Sequence, residues 1–283
     1  MRQALLAWSG DARRDLPWRR TRDPWEVVVS EAMLQQTQVA RVAPRSAEFL
    51  ARVPTPAACA AAPVGDVVRA WAGLGYNRRA VSLHRRATTV VAGHGGRLPA
   101  DLGALLALPG VGPYTARAVL AFAFEADVGV LDTNAARVLA RTAGRRLAAG
   151  EAQERADALV PPGQGWAWNQ AVLDLGATIC TARAPACARC PVARSCAWRR
   201  AGRPEPDPAV GSAGVGGGQS RFAGSDRQGR GRLVDALRRG PVAWAEVAAA
   251  AGWPDAPARA RRAAAALVAD GLAVAGEAGL RLP

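Results

Sequence analysis

No lysine occurs among the 283 residues, so all 37 basic residues are arginine. A Schiff base needs an amine, and the N-terminal amine is the only primary amine left to supply one. No apolar run reaches the length of about 18 residues that a membrane-spanning helix needs. The opening stretch, MRQALLAWSGDARRD, is too short in apolar residues and too charged for a secretory signal peptide. Five cysteines, four of them between 180 and 196, do not read as a secreted disulfide framework. A soluble, cytosolic protein is therefore expected. Period-2 alternation, the mark of strands, is almost missing before residue 270, and no internal repeat is visible.

What is present points to a packed helical body. Half of the residues are apolar, and the net charge is +14. That charge favours a polyanionic partner, nucleic acid first. Part of the excess reflects the Ala, Arg and Gly that a GC-rich genome over-supplies. Ala, Leu and Arg recur at helical spacing. Asp23-Pro24 sets a cap residue before a first-turn proline, ahead of WEVVVSEAMLQQTQVARV. Helices are also expected from Thr115 and from Asn134, within an all-α body over roughly 1–200. PEPDP and the Gly/Ser-rich AVGSAGVGGGQS predict a flexible linker over 204–229. Beyond it, RLVDALRRG, WAEVAAAAGW and APARARRAAAALVADGL read as three helices. LAVAGEAGLRLP reads as a hairpin turning at GEAG. Three helices and a terminal hairpin resemble a small winged-helix α+β domain over 230–283.

Two local patterns carry chemistry. Cys180, Cys187, Cys190 and Cys196 are spaced C-x6-C-x2-C-x5-C. Four soft thiolates suit a [4Fe-4S] cluster or Zn²⁺. Zinc knuckles usually come as two short pairs, so the single close pair here favours iron–sulfur and leaves zinc open. Arg183 lies in the first loop of this cluster, and Arg189, Arg194, Arg199 and Arg200 surround it. Guanidinium groups presented there suit phosphates. Cys59 reads as a buried filler. The second pattern is LPGVG at 108–112, a tight turn between helices. Its backbone N–H groups at Gly110, Val111 and Gly112, with the helix that follows, suit a phosphate. Farther on, VGVLDTNAARVLAR places Asp132 immediately before a helix, where it or Asn134 reads first as an N-cap.

Taken together, the LPGVG hairpin, Asp132 and the cysteine spacing resemble the endonuclease III superfamily of DNA glycosylases. Within it, LPWR (16–19), SEAMLQQTQV (30–39), GLGY (73–76), VLDTN (130–134) and WNQAVLDLGATIC (168–180) resemble the MutY adenine glycosylases. The resemblance covers roughly residues 1–200. It implies a helix-hairpin-helix fold of two α-helical parts with DNA and the active site between them. One is a six-helix barrel with the hairpin (22–128). The other joins 1–21 to 129–203 around a [4Fe-4S] cluster.

The resemblance also implies roles. Adenine leaves only when protonated, and the sugar passes through a cation-like state. The base must first be flipped from the stack. Glu31, among apolar neighbours, is the implied acid for the adenine ring nitrogen; burial would raise its pKa. Read without the family, it is equally a surface glutamate. Asp132 is implied to stabilise the sugar cation, with Asn134 orienting the pair. The lyase branch has lysine where this chain has Tyr114, so base removal without efficient strand cleavage is expected. Trp18, Arg19, Leu34, Val39 and Gln170 are the implied adenine pocket. Gln36, beside Thr37, and Tyr76, after Gly75, are the implied wedge into the duplex. The usual second tyrosine is Asn77 here. The implied substrate is duplex DNA with adenine opposite 8-oxoguanine or guanine, bound by a monomer at the nucleoid without membrane contact. The competing readings are a T:G or U:G glycosylase and a non-catalytic DNA-binding protein. The relatives' NUDIX-like C-terminal domain is expected to be missing, with the winged-helix-like unit and its Arg-rich entry RFAGSDRQGRGR as a second DNA contact.

Overall fold

The structure, a computed structural model, describes residues 1–212 and 221–283. Its helices are α1 (Arg2–Ala12), α2 (Pro24–Leu34), α3 (Val39–Arg52), α4 (Pro56–Ala61), α5 (Val64–Ala70), α6 (Arg78–His94), α7 (Leu102–Leu106) and α8 (Pro113–Ala123). They continue with α9 (Thr133–Ala143), α10 (Ala149–Leu159), α11 (Gly165–Thr178), α12 (Ala197–Arg200), α13 (Asp226–Arg239), α14 (Val247–Ala250) and α15 (Pro257–Ala269). The strands among the described residues are β1 (Val242–Ala243), β2 (Val274–Ala275) and β3 (Gly279–Arg281). The all-α body and the small α+β unit are both present. No described helix is long and apolar enough to cross a membrane.

The chain forms two compact units. The first holds Met1–Pro24, Ala100–Leu102 and the chain from Gly112 to residue 212. The second holds Trp25–Pro99, Gly103–Val111 and the chain from residue 221 on. This differs from the expected division, because α8 packs on α11 and so joins the unit that carries the cysteines.

In the first unit, α1, α9 and α11 share a core of Leu5, Val138, Trp168, Ala171 and Leu175. Gly176 permits the contact of α11 with α9: a Cβ there would stand 2.6 Å from the Asn134 Cβ. Residues 204–212 correct the expected linker. Ala209 and Ser212 are buried, and Ser212 Oγ accepts from the Leu147 N–H at 3.2 Å. Arg141, itself buried, holds Asp207 at 2.6 Å. At the other end of that segment, Ser225 caps α13 from 226 onward. The Gly/Ser run at 213–220 lies outside the described residues.

In the second unit, α2 is buried on every side from Val27 to Met33, as a helix with apolar residues all round must be. Phe49 and Trp71 meet edge to face, with ring centroids 5.6 Å apart. Cys59 is fully buried, and burial pushes its thiol up to about 12; it is the filler expected. In the C-terminal part, β2 and β3 pair antiparallel, Val274 opposite Arg281, and turn at GEAG as anticipated. β1 joins the far side of β3, giving the order β1-β3-β2. The helix expected across WAEVAAAAGW shortens to α14, with Gly252 at φ +75 and Pro254 following.

Candidate active site and cysteine cluster

Asp132 heads α9. Its Oδ1 accepts from the Ala135 N–H at 2.7 Å, so the N-cap reading is correct. Its Oδ2 accepts from the Asn134 amide at 2.8 Å. The two contacts hold the carboxylate at one angle. Burial pushes the Asp132 carboxyl above its usual 3.8, against those hydrogen bonds and the charge of Arg137. The chain of contacts continues. Arg137 donates to Asn134 Oδ1 (2.8 Å), to the Gly176 carbonyl (2.6 Å) and to the Cys180 carbonyl (2.6 Å). Asp132 is thus tied to the first cysteine through two side chains. Arg137 was not anticipated, although its position three residues after Asn134 on a helix put it within reach.

The four clustered cysteines line one cavity, together with Arg141, Trp198 and apolar groups such as Ile179 and Val192. Arg141 donates to Cys180 Sγ at 3.3 Å and stacks on Trp198. Burial pushes the Cys190 thiol up to about 11. At Cys180 burial also raises the thiol, while Arg141 and Arg137 pull the other way. Among the described residues, no three metal-ligating side chains stand close enough to hold a single metal ion. Arg183, Arg189, Arg194, Arg199 and Arg200 are all exposed around this loop.

Other expected site residues of this unit are Tyr114 and Trp18, both partly buried, and Gln170, which is buried on α11. The Arg19 guanidinium lies in a two-pronged pair with Asp174, at 2.7 and 2.8 Å, while its buried Nε has no partner among the described residues. Arg14 binds the same carboxylate at 2.6 Å. Arg19 is only 8% exposed, so the charge has to be neutralised where it sits. The pair fastens the N-terminal segment to α11.

The second unit carries Glu31, Leu34, Gln36, Thr37, Val39, Gly75, Tyr76, Gly110 and Val111. Glu31 is 4% exposed in the middle of α2. The desolvated setting inferred from its neighbours is present, and the surface reading is excluded. Gln36 (φ 57) and Tyr76 (φ 46) both take a left-handed backbone, and both are exposed. Such a conformation costs about 1 kcal/mol or more for a residue with a side chain and needs support. Arg79 supplies it. Its guanidinium donates to the carbonyls of Ala32 (2.8 Å), Met33 (2.9 Å) and Gln35 (2.5 Å) on one turn. It also reaches Thr37 Oγ1 (2.9 Å) and the carbonyls of Leu74 (3.2 Å) and Gly75 (3.0 Å). Burial lowers its pKa to about 10, which leaves it charged at neutral pH. One arginine therefore pins the turns that present Gln36 and Tyr76. Leu34 and Val39, partly buried, flank the first of them.

At the LPGVG turn, Arg86 donates to the carbonyls of Pro109 (3.2 Å) and Gly110 (3.1 Å) from a buried position. Gly110 has φ +69, and a Cβ there would press on Ser82 at 3.1 Å. Gly112 begins α8 with no side-chain cap. A helix start of this kind suits an anion.

Comparison with known proteins identifies the family. The HhH-GPD superfamily base excision DNA repair protein profile matches residues 29–162. The adenine DNA glycosylase of Mycolicibacterium smegmatis is 44% identical over 275 residues, 95% of this chain and 90% of that protein. The chain belongs to the adenine DNA glycosylase family. Its counterpart from Mycobacterium tuberculosis is 46% identical over 279 residues, 95% of this chain and 88% of its own length. The structure of a thermostable thymine-DNA glycosylase superposes with a TM-score of 0.66 at 30% identity, covering 70% of this chain and 94% of that one. Membership makes the chain a DNA glycosylase with the helix-hairpin-helix fold of base-excision repair enzymes. The match with the Mycolicibacterium and Mycobacterium proteins runs through the C-terminal winged-helix-like unit as well.

Proposed function

We propose that this glycosylase acts as a monomer on duplex DNA and removes adenine mispaired with 8-oxoguanine or guanine, without efficient strand cleavage. The observation that carries the reading is the Asp132 carboxylate, oriented by Ala135 and Asn134 at the head of α9, in a chain that also buries Glu31 on an apolar helix. Glu31 delivers a proton to the adenine ring nitrogen, which turns a poor leaving group into a neutral one. Asp132 then stabilises the positive charge left on the sugar until water adds to the anomeric carbon, giving its proton to the Glu31 carboxylate. Asn134 keeps Asp132 aimed, and Tyr114 hydrogen-bonds at the reacting sugar or its carboxylates. Trp18, Leu34, Val39 and Gln170 form the adenine pocket. Gln36 with Thr37, and Tyr76 with Gly75, enter the duplex. Gly110, Val111, Gly112 and Arg183 hold phosphates.

A single-turnover assay on adenine opposite 8-oxoguanine, guanine, cytosine or thymine, and on thymine and uracil opposite guanine, tests this directly. Release confined to adenine opposite 8-oxoguanine and guanine is the expected result, with nicks only after alkali, because Tyr114 has no amine to form an imine and no lysine can replace it. Nicks without alkali, or release of thymine, would place the enzyme on another branch.

Cys180, Cys187, Cys190 and Cys196 would hold a [4Fe-4S] cluster. The fit rests on the chemistry of the donor set, four thiols lining one cavity. When bound, the cluster supplies four iron–thiolate cross-links that close the 180–196 loops. The purified protein is expected to be brown, with a broad shoulder near roughly 400 nm from sulfur-to-iron charge transfer and about four irons per chain. A colourless protein with one zinc per chain would replace the cluster by zinc.

A further inference from the structure

The C-terminal part is seated on the turn that carries Tyr76, within one compact unit. Arg238 of α13 donates to Asn77 Oδ1 at 2.8 Å and to the Val68 carbonyl at 3.1 Å. Asp270 pairs with both Arg78 and Arg230. At the start of α13, Arg227 donates to the Tyr76 hydroxyl at 3.3 Å and stacks on Phe222, 5.7 Å from the ring centre. Phe222 is 57% exposed and Tyr76 38%, with the Arg227 guanidinium reaching both and Arg79 stacked on the Tyr76 ring, 5.3 Å from its centre. Nearby acids are already engaged: Asp226 with Arg259, Asp235 with Arg238. The exposed Arg221 and the three-quarters-exposed Arg78 side chain leave the patch basic.

We infer that Phe222 and Arg227 extend the Tyr76 turn into a single DNA-binding ledge, so that the C-terminal unit is part of the substrate surface. Its occupant is the duplex substrate beside the extruded nucleotide. Exposed aromatic rings offer faces to unstacked bases, and the guanidinium that reaches both offers donors to a phosphate or a base edge. The ledge rests on the proposed reading in one respect, that Tyr76 meets the duplex.

The test uses the full chain and two labelled duplexes, one with adenine opposite 8-oxoguanine and one fully paired, followed by fluorescence anisotropy across a salt series. In the Phe222→Ala/Arg227→Ala variant the Kd for both is expected to rise about 10-fold or more, and the slope of log Kd against log salt to fall by about one ion. Phe222→Tyr/Arg227→Lys is expected to recover most of the affinity. Arg97→Ala, which removes an exposed charge elsewhere on the same unit, is expected to leave Kd unchanged. Thermal melting of each variant reports folding; should the double variant not fold, Phe222→Ala alone is read, since its ring is mostly in water. An unchanged Kd would overturn the ledge, as would an equal loss in Arg97→Ala. Loss of affinity in a protein whose wild type releases no adenine would keep the ledge and overturn the proposed function. Adenine release with unchanged binding would do the reverse.

Discussion

Replacing Glu31 by glutamine is expected to lower single-turnover adenine release by about 10²- to 10⁴-fold, the range a general acid contributes. The amide keeps the shape of the side chain within buried α2, so duplex binding is expected to persist. Asp132→Asn is expected to fail comparably, for a related reason. The amide nitrogen introduced at 132 would face the Asn134 amide that now donates to Oδ2, and the negative charge opposite the sugar cation would be gone. The pH dependence follows from the direction of the Asp132 shift. Its active form is the carboxylate, and burial raises its pKa above 3.8. The acid limb of the single-turnover rate is therefore expected at higher pH than an exposed aspartate would give. A limb at or below 3.8, or a Glu31→Gln enzyme of normal rate, would remove these residues from the chemistry.

Asp174→Asn is the substitution with the largest expected effect on stability. Asp174 is fully buried and receives Arg19 and Arg14. Removing the carboxylate strands a buried guanidinium, at a cost of about 3–5 kcal/mol. Burial alone would raise the Asp174 pKa, but the hydrogen bonds and charges of Arg19 and Arg14 outweigh it and hold it below 3.8. A depressed carboxylate contributes stability that is present above its unfolded value and lost as pH falls through the folded one. Urea unfolding at neutral pH is thus expected to show the full deficit, and the gap between wild type and variant to close below about pH 3.8. Equal stability at neutral pH would mean that Arg19 is not held as the geometry indicates.

Much of the site was legible in the residues. The glycines of LPGVG, the proline at 24 and the run around Glu31 each act within a few residues, so local rules reach them. Asp132 shows how two readings can coexist: the cap is present, and the same carboxylate is the one proposed for catalysis. The pairing of Arg19 was not foreseen, because a guanidinium suits a base edge and a carboxylate equally and its partner lies 155 residues away. Arg79 and Arg78 are neighbours in a run of two arginines, and nothing local says which turns inward. Only the approach of the 32–37 and 74–76 turns gives Arg79 six acceptors. Residues 204–212 look like linker by composition, yet Asp207 meets Arg141 from 66 positions earlier.

The sequence by itself determined the helical class, the cysteine set and the hairpin turn, because each depends on residue type and short spacing. The tertiary structure alone decided which arginines are structural, where the chain ceases to be linker, and that the C-terminal unit sits against Tyr76. Those outcomes depend on which distant groups share a buried volume. There an unpaired charge or carbonyl is costly, and the partner that removes the cost can lie anywhere along the chain.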